Sequence, residues 1–288
     1  MAIYNLGSIN ADVFYTLPHL VEPGETLAAS SVYQGLGGKG ANMSVAACRA
    51  GAQVNHIGAV GPDGDWAIKR LADYGINVEN IQTVQEKTGH AIIMVDGAGE
   101  NAIVIYSGAN LQITESDVTR AFQSARAGDY FLTQNETSAQ QVAAKAAKTA
   151  GLRVAYAAAP FDADAAVKVL PYLDLLFLNQ VEAEQLQTAT GKSLKQLPVE
   201  DVIVTLGSKG CVWHASSAGT ETHCAARKVN PIDTTGAGDT FTGYVLAALD
   251  RGAPMAEAIE LATKAGAIMV TRKGTADVIP TLEEVTAF

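Results

Sequence analysis

The sequence has few cysteines, and their number and spacing argue against two kinds of site. Only Cys48, Cys211 and Cys224 occur among 288 residues. An odd number of cysteines at unrelated spacings fits neither a disulfide framework nor a zinc site. The five histidines form no H-E-x-x-H pattern and no G-x-S-x-G is present, so metallohydrolase and serine hydrolase chemistry is not indicated either. The simplest expectation is a protein of the reducing cytoplasm.

Positive charge and long apolar runs are also scarce. Charged residues make up 17% of the chain, and 20 Lys and Arg against 30 Asp and Glu give a net charge of −10. Without a basic surface, the protein is not expected to bind nucleic acid or an anionic membrane. No stretch approaches 18 apolar residues, and Met1–Gly7 has no basic segment typical of an export signal. We therefore expect a soluble, cytoplasmic protein.

What the chain does contain is an alternation of short β-rich runs with alanine-rich helical runs. The apolar runs predict strands at Ile3–Gly7, Val54–Val60, Tyr130–Thr133, Arg153–Ala157, Leu175–Leu178 and Val202–Thr205. The helical runs are Gly40–Ala50, Asp65–Tyr74, Glu115–Ala125, Ala139–Ala150, Val181–Thr188, Ala237–Arg251 and Met255–Val270. This order predicts a single α/β domain over 1–288, with a mostly parallel sheet and helices on both faces.

Two extended segments interrupt this alternation, at Asp12–Gln34 and Thr88–Tyr106. In the second, residues 90–96 and 101–106 read as a hairpin around the glycine-containing turn at 97–100. We expect a small second sheet, whose apolar face must cover a ligand or the same sheet of another subunit.

The first glycine cluster, Gly35-Leu-Gly37-Gly-Lys39-Gly40, matches G-x-G-x-x-G and precedes a predicted helix, with Asp63 downstream. A nicotinamide-dependent oxidoreductase is one interpretation. However, that fingerprint should follow the first strand directly, and here an extended segment of more than twenty residues intervenes.

A second cluster, Asp233-Thr-Thr-Gly236-Ala-Gly238-Asp239, comes immediately before a long predicted helix. Its glycines allow close approach of the backbone to a ligand, and the first N–H groups of a helix attract anions. Asp239 could accept the proton of a hydroxyl that attacks a bound phosphate. It could equally do no more than complement the helix dipole.

Two further motifs also have two interpretations. Asn179 and Glu182 follow a predicted strand, where they could form a capping box or contribute oxygens to a magnesium site. Thr205-Leu-Gly207-Ser-Lys-Gly210 lies between two β-rich runs, as a tight turn or as a loop that contacts a nucleotide.

Taken together and in order, these motifs resemble the ribokinase branch of the PfkB carbohydrate kinase family over essentially the whole chain. The matching segments are Gly7-Ser-Ile-Asn10-Ala-Asp12, Gly37-Gly38-Lys39-Gly40-Ala-Asn42, Glu136, Asn179-Gln-Val-Glu182, Thr205–Gly210, Asp233–Asp239 and Val270-Thr-Arg-Lys-Gly274. The family implies an ATP-dependent kinase, with D-ribose and its 5-hydroxyl as the first expectation. Another small sugar or a nucleoside is the alternative, and a non-catalytic ligand sensor on the same scaffold is a third hypothesis.

The resemblance also implies roles for individual residues. Asp239 would be the catalytic base, and Gly236, Ala237 and Gly238 would form an anion hole. The residues implied to bind the sugar are Asn10, Asp12, Gly38, Lys39, Asn42 and Glu136, together with Asp239. Those implied to bind ATP are Asn179, Glu182, Thr205, Gly207, Ser208, Gly210 and Thr263, with Glu182 holding Mg²⁺ through water.

A potassium ion would be held by Asp233 and the carbonyls of Thr235, Met269, Arg272 and Gly274. A serine that typically assists in the family aligns here with Val278, and the strand that usually carries Asn-Pro-Ala-Pro in the family reads Tyr156-Ala-Ala-Ala159-Pro160 here. The extended segments at 12–34 and 88–106 resemble the family's lid, which implies a homodimer formed through it.

Overall fold

The computed structural model describes residues 1–288. The strands are β1 (Ala2–Leu6), β2 (Asn10–Thr16), β3 (Ser31–Gly37), β4 (Gln53–Val60), β5 (Asn77–Thr83), β6 (Gly89–Val95), β7 (Asn101–Tyr106), β8 (Tyr130–Thr133), β9 (Arg153–Ala157), β10 (Leu175–Asn179), β11 (Asp201–Thr205), β12 (Cys211–Ala215) and β13 (Thr220–Cys224). The α-helices are α1 (Lys39–Arg49), α2 (Asp65–Asp73), α3 (Glu115–Ala121), α4 (Gln140–Thr149), α5 (Ala163–Val169), α6 (Gln180–Thr190), α7 (Ala237–Asp250), α8 (Met255–Met269) and α9 (Leu282–Ala287).

Nine strands form the central sheet, in the order β13-β12-β11-β10-β9-β8-β1-β4-β5. All neighbouring strands from β11 to β5 are parallel, and only the β11–β12 and β12–β13 pairs are antiparallel. The predicted α/β sheet is therefore confirmed. The edge strands β5 and β13 were not predicted, because a strand with one neighbour needs no continuous apolar run, and the β-rich run expected after Gly210 is β12.

Helices cover both faces of this sheet, and each face has its own core. Helices α1, α2, α7, α8 and α9 pack with side chains such as Ile3 and Leu132 on one face. Helices α3, α4, α5 and α6 pack with Leu6 and Phe131 on the other. Successive residues of one strand thus enter opposite cores, which is why the central strands are apolar at every position.

The two extended segments form a separate four-stranded sheet in the order β3-β2-β6-β7, which we call the lid sheet. Strands β6 and β7 pair as the predicted antiparallel hairpin, and β2 joins β6 in parallel. Its outer strands leave large apolar side chains in solvent: Val32, Tyr33, Ile103, Val104 and Ile105 are between 52% and 64% exposed. A soluble surface rarely leaves such a group uncovered.

Most helix boundaries lie within one or two residues of those predicted. The clearest difference is α3, which ends at Ala121 and continues as a turn of 3₁₀-helix over Phe122–Ser124. Helices α5 and α9 were not predicted, since each spans only seven and six residues respectively. No helix has the length and apolar character needed to cross a membrane.

Candidate active site

The predicted site residues gather at one edge of the central sheet. Residues 7–10 follow β1, Glu136 lies just beyond β8, Asn179 ends β10 and Thr205 ends β11. These strands are parallel, so their carboxyl ends meet along one edge. Ligands of open α/β sheets bind at this edge. The N-termini of α1 and α7 face it through the contacts described next.

Asp239 lies in the first turn of α7 and is 7% exposed. Its Oδ2 accepts a hydrogen bond of 2.9 Å from Nδ2 of Asn42, which lies near the start of α1. Burial raises the pKa of Asp239 above its ordinary value, although Lys39 and the Asn42 bond oppose this. A carboxylate held in this way is a better proton acceptor than one in water.

Backbone N–H groups surround Asp239. Helix α7 begins after Gly236, which adopts a φ of 73° that favours glycine. No acceptor in the chain takes a hydrogen bond from the N–H of Gly236, Gly238 or Asp239, whereas Ala237 N–H reaches Thr234 O over 3.3 Å. A Cβ on Gly238 would meet nothing within 4 Å, so this turn faces open space. Unsatisfied donors at a helix N-terminus that faces open space suit an anion.

Lys39, the first residue of α1, connects the acids of the site electrostatically. Asp239 contributes most to raising its pKa, with further contributions from Glu136, Glu182 and Asp12, while burial opposes the shift. Four acids from distant parts of the sequence therefore share one half-buried ammonium group. Asp12 and Asp239 consequently belong to one site.

Asp12 lies on β2 of the lid sheet and is 8% exposed. Gly37 on the neighbouring β3 makes room for it, because any Cβ at Gly37 would overlap the Asp12 carboxyl group. Burial, and then the charges of Glu136 and Asp239, raise the pKa of Asp12 to about 7. The carboxyl group can thus change charge near neutral pH.

Asn10 is held by a residue that the sequence reading missed. Its Oδ1 accepts a 2.8 Å hydrogen bond from Nδ2 of Asn110, whose own Oδ1 accepts from Ile9 N–H over 2.9 Å. Asn110 is 1% exposed and lies in a 3₁₀ turn with no motif around it. Its role in holding Asn10 is visible only from this hydrogen bond, which joins residues 100 positions apart.

Glu136 is bound by two segments at once. Its Oε2 accepts from Ser8 Oγ over 2.5 Å and from Lys39 N–H over 3.1 Å. Burial raises the pKa of Glu136, against the effects of Lys39 and Ser8. Gly38 precedes α1 with a φ of 90°, and a Cβ there would press on the Ser8 carbonyl. Ser8 is a second residue missed by the sequence reading, although it lies within the first matching motif.

Asn42 also retains an open acceptor. Its Nδ2 is engaged by Asp239, but Oδ1 is buried and has no hydrogen-bond partner. A buried carbonyl oxygen without a partner is costly, so a donor from a bound molecule would be stabilising there.

Asn179 and Glu182 form the predicted capping box at the start of α6. Glu182 Oε2 accepts from Asn179 N–H over 2.7 Å, and Asn179 Oδ1 accepts from Glu182 N–H over 2.9 Å. Glu182 also belongs to the site, because its pKa is raised by burial and by Asp239 while the Asn179 bond and Lys39 lower it. The capping-box prediction is therefore confirmed for Glu182, whose carboxylate also lies within electrostatic reach of Lys39 and Asp239.

The predicted nucleotide loop follows β11. Gly207 and Gly210 have φ values of 58° and 93°, and a Cβ at Gly210 would overlap the carbonyl of Cys224. Thr205 Oγ1 donates to Leu178 O over 3.3 Å, which ties the loop to the end of β10. Thr263 is set apart from this loop on α8, and its hydroxyl donates within the helix to Ile259 O.

Two of the predicted cation residues, Thr235 and Gly274, bond to the side chain of Asp233. One carboxylate oxygen accepts from Thr235 N–H over 2.9 Å and the other from Gly274 N–H over 3.2 Å. The carboxylate thereby joins the segment before α7 to the segment after α8. A Cβ on Gly274 would lie 3.5 Å from a methyl group of Val278, so this side of the loop is apolar.

Comparison with known proteins gives the family. The model of the pfkB family of carbohydrate kinases matches residues 3–282. The chain belongs to the pfkB family of carbohydrate kinases.

Relatives of this pfkB-family chain extend over its whole length. A ribokinase of Haemophilus influenzae is 38% identical over 298 residues, covering 98% of this chain and 96% of the relative. A deoxyribokinase of Salmonella typhi is 31% identical over 303 residues, covering 99% and 97%. The structure of an Arabidopsis thaliana ribokinase complexed with ribose and ATP superimposes with a TM-score of 0.87 at 29% identity, covering 100% of this chain and 98% of that one.

The pfkB assignment also resolves the first glycine cluster. Gly35 and Gly37 lie within β3 of the lid sheet, and α1 begins only at Lys39. The cluster therefore does not form the turn after the first strand that a nicotinamide-binding fingerprint requires, and that interpretation was wrong.

Proposed function

We propose that this protein phosphorylates D-ribose at its 5-hydroxyl, using ATP, to give D-ribose 5-phosphate. The main observation behind this proposal is that Asp239, unsatisfied backbone N–H groups and several buried polar side chains lie together in one site. The ribokinase relatives support a sugar of this size. Asn10, Asp12, Asn42 and Glu136 would bind the sugar hydroxyls, with Lys39 compensating their charge and the Gly38 backbone close to the ring.

In this mechanism the oxygen of the 5-hydroxyl attacks the γ-phosphorus of ATP. The bond from that phosphorus to the bridging oxygen breaks, ADP leaves, and Asp239 takes the hydroxyl proton. The N–H groups around Gly236, Ala237 and Gly238 would stabilise the charge that develops on the transferred phosphoryl group. The raised pKa of Asp239 makes its carboxylate a stronger base, which favours transfer of the proton from the 5-hydroxyl.

Magnesium and nucleotide would bind on the side of α6 and the loop after β11. Asn179 and Glu182 offer amide and carboxylate oxygens, which suit Mg²⁺ directly or through water. When bound, the ion would neutralise phosphate charge during transfer. Thr205, Gly207, Ser208 and Gly210 would line the ATP site, with Thr263 near the base.

A potassium ion would bind beside the anion hole. The Asp233 carboxylate and the carbonyls of Thr235, Met269, Arg272 and Gly274 would supply the oxygen ligands that a hard cation prefers; the bonds from Thr235 and Gly274 N–H to Asp233 support this by bringing the two segments together. Val278 contributes only methyl groups beside Gly274, so the side chain at this position adds no ligand.

The lid sheet would close over the sugar, because Asp12 projects from β2 into the acidic cluster around Lys39. Closure excludes water and so limits wasteful hydrolysis of ATP. The exposed apolar side chains of β3 and β7 would pair with those of a second copy to give a homodimer. On this view residues 1–288 are one domain, the lid includes 12–34 and 88–106, and the enzyme works in the cytoplasm.

The direct test is ADP release measured with ribose, 2-deoxyribose, fructose and nucleosides as acceptors. We expect the highest kcat/KM with ribose, and ³¹P–¹H correlation in the product should place the phosphate on carbon 5. A higher kcat/KM with 2-deoxyribose would move the assignment to that sugar, in keeping with the deoxyribokinase relative. Tight sugar binding without turnover of any acceptor would instead support the sensor hypothesis.

A further inference from the structure

Four buried polar side chains form a continuous hydrogen-bonded chain beneath the sugar cleft. They are Gln134 after β8, Asn5 on β1, Ser44 on α1 and His56 on β4, and each is at most 1% exposed. None of them is among the residues assigned above to sugar, nucleotide or metal. Polar groups this deep cost stability unless each finds a partner.

The direction of every hydrogen bond in this chain is fixed by chemistry. Gln134 Nε2 donates to Asn5 Oδ1, and Asn5 Nδ2 donates to Ser44 Oγ, each over 2.8 Å. Because Ser44 accepts there, its own hydrogen is free to go to His56 Nδ1 at 2.8 Å. His56 then carries its hydrogen on Nε2 and donates to Gly7 O over 3.1 Å. Burial lowers the pKa of His56 to about 4, so this neutral form is the one present near pH 7.

The chain reaches the backbone at two points. His56 binds the carbonyl of Gly7, and the second N–H of Asn5 binds the carbonyl of Gly40 over 2.8 Å. Gly7 and Gly40 are in direct contact, since a Cβ on either would overlap the backbone of the other. The polar chain therefore holds both sides of the point where the end of β1 crosses the start of α1.

The two residues next to this crossing support the sugar site. Ser8 follows Gly7 and donates to Glu136 through its hydroxyl, while Lys39 precedes Gly40 and donates to the same carboxylate through its backbone. Ser8 Oγ also accepts from Gly40 N–H over 3.2 Å, and Ser8 O accepts from Ala41 N–H over 2.9 Å. A small shift of Gly7 against Gly40 would thus move Glu136 and the turn at Gly38.

From this geometry we infer that Asn5, Ser44 and His56 are positioning residues for sugar binding, acting through Gly7 and Gly40 on Ser8, Glu136 and the start of α1. The inference rests on the proposed function, because it assigns these residues to the sugar side of that site. It places no demand on the ATP side, which lies along α6, the loop after β11 and α8.

The decisive experiment replaces the three residues together by apolar groups of similar shape, in the variant N5L/S44A/H56F. Replacing all three together leaves fewer unpaired groups than single replacements do, but Nε2 of Gln134 and the carbonyl of Gly7 still lose their partners, so the thermal midpoint should fall while the protein stays folded. We expect the KM for ribose to rise about tenfold, with kcat and the KM for ATP changed less than about twofold. An unchanged KM for ribose in this folded variant would overturn the inference.

Two further variants keep the inference testable if the triple variant does not fold. His56→Phe removes the donor to Gly7, whereas His56→Gln retains an N–H that can reach the same carbonyl. We expect the KM for ribose to rise in His56→Phe and to recover largely in His56→Gln. Equal values in the two variants would contradict a role for the bond to Gly7.

A matched control measures the effect of losing a buried hydrogen bond elsewhere. Tyr244 lies on α7, is fully buried and donates to Pro280 O over 2.7 Å, and it makes no hydrogen bond to the residues of the sugar site. Tyr244→Phe should lower the thermal midpoint without changing the KM for ribose. If the KM for ribose rose as much as in His56→Phe, the loss of any buried hydrogen bond would have this effect, and the inference would be overturned. Wild-type protein that does not turn over ribose would refute the proposed substrate instead, and the polar chain would then be tested with the sugar that the wild type does phosphorylate.

Discussion

Asn42 and Asp239 are 197 positions apart in the sequence, and their side chains are joined by a 2.9 Å hydrogen bond. The bond engages Oδ2 of Asp239, which leaves the other oxygen for the proton of an attacking hydroxyl. It also links the first turn of α7, with its open N–H groups, to the start of α1, which carries Lys39. One contact thus joins the proposed phosphate side of the site to the proposed sugar side.

Asp239→Asn should bind ribose and ATP with near wild-type affinity and lose kcat by about 10²-fold to 10⁴-fold, since an amide cannot accept the proton. Isothermal titration calorimetry and ADP-release assays together separate binding from turnover. Asp201→Asn is the matched control, because Asp201 is also buried but bonds Trp213 Nε1 at the opposite end of β11. Substantial turnover in Asp239→Asn would identify another group as the base.

Asp12→Asn should stabilise the sugar-free protein increasingly as pH rises. The pKa of Asp12 is about 7 in the folded chain and near 4 when unfolded, so between these values the folded state binds more protons. Stability is therefore lost as pH rises through this interval, by at most about 4 kcal/mol, and the loss is complete above pH 7. Urea unfolding of both proteins from pH 5 to pH 8.5 measures the difference. A constant difference across this range would contradict the raised pKa.

Glu182→Gln separates the two interpretations of the capping box. The amide oxygen can still accept from Asn179 N–H, so the free energy of unfolding should change by less than about 1 kcal/mol. The loss of charge should raise the Mg²⁺ concentration needed for half-maximal turnover severalfold. Asp117→Asn, in the capping box of α3, is the control and should leave the Mg²⁺ requirement unchanged. A wild-type Mg²⁺ response in Glu182→Gln would restrict Glu182 to its structural role.

Val278→Ser should lower the K⁺ concentration that gives half-maximal activation, because a hydroxyl would replace methyl groups beside Gly274. Initial rates across a K⁺ series, with choline holding ionic strength constant, provide the measurement. Val278→Ala removes the methyl groups without adding an oxygen. If both variants changed the K⁺ requirement equally, the cause would be the removal of the methyl groups and not the added hydroxyl ligand.

Ile105→Asp should give a monomer where the wild type forms the proposed homodimer, since it places a charge on the apolar outer strand β7, where Ile105 is 61% exposed. Light scattering after size-exclusion chromatography gives the mass of each species. Val167→Asp, on α5 and 44% exposed, should remain dimeric. A monomeric wild type would remove the lid as an interface.

The architecture could be predicted well because its signals are local. Runs such as Leu175–Leu178 are apolar at each position, and alanine-rich segments with helical spacing lie between them. Short elements were not predicted because their sequence signals are weak. Strand β13 (Thr220–Cys224) is mostly exposed and so has no apolar run, and α9 has only about one and a half turns. Gly38 and Gly236 marked the turns before α1 and α7, since a positive φ constrains the residue type directly, whereas Gly35 and Gly37 of the first cluster lie in strand β3.

By itself, the sequence determined the α/β alternation, the lid hairpin, and the chemical groups available at each turn, because periodicity and backbone preference act between near neighbours. The tertiary structure alone decided that Asn110 supports Asn10, that Ser8 and Lys39 hold Glu136, and that Asn5, Ser44 and His56 form one polar chain. It also decided the pKa of Asp12, since burial and the charges of Glu136 and Asp239 act through space between residues more than one hundred positions apart. Such distances are set only when the sheet, its helices and the lid have packed together.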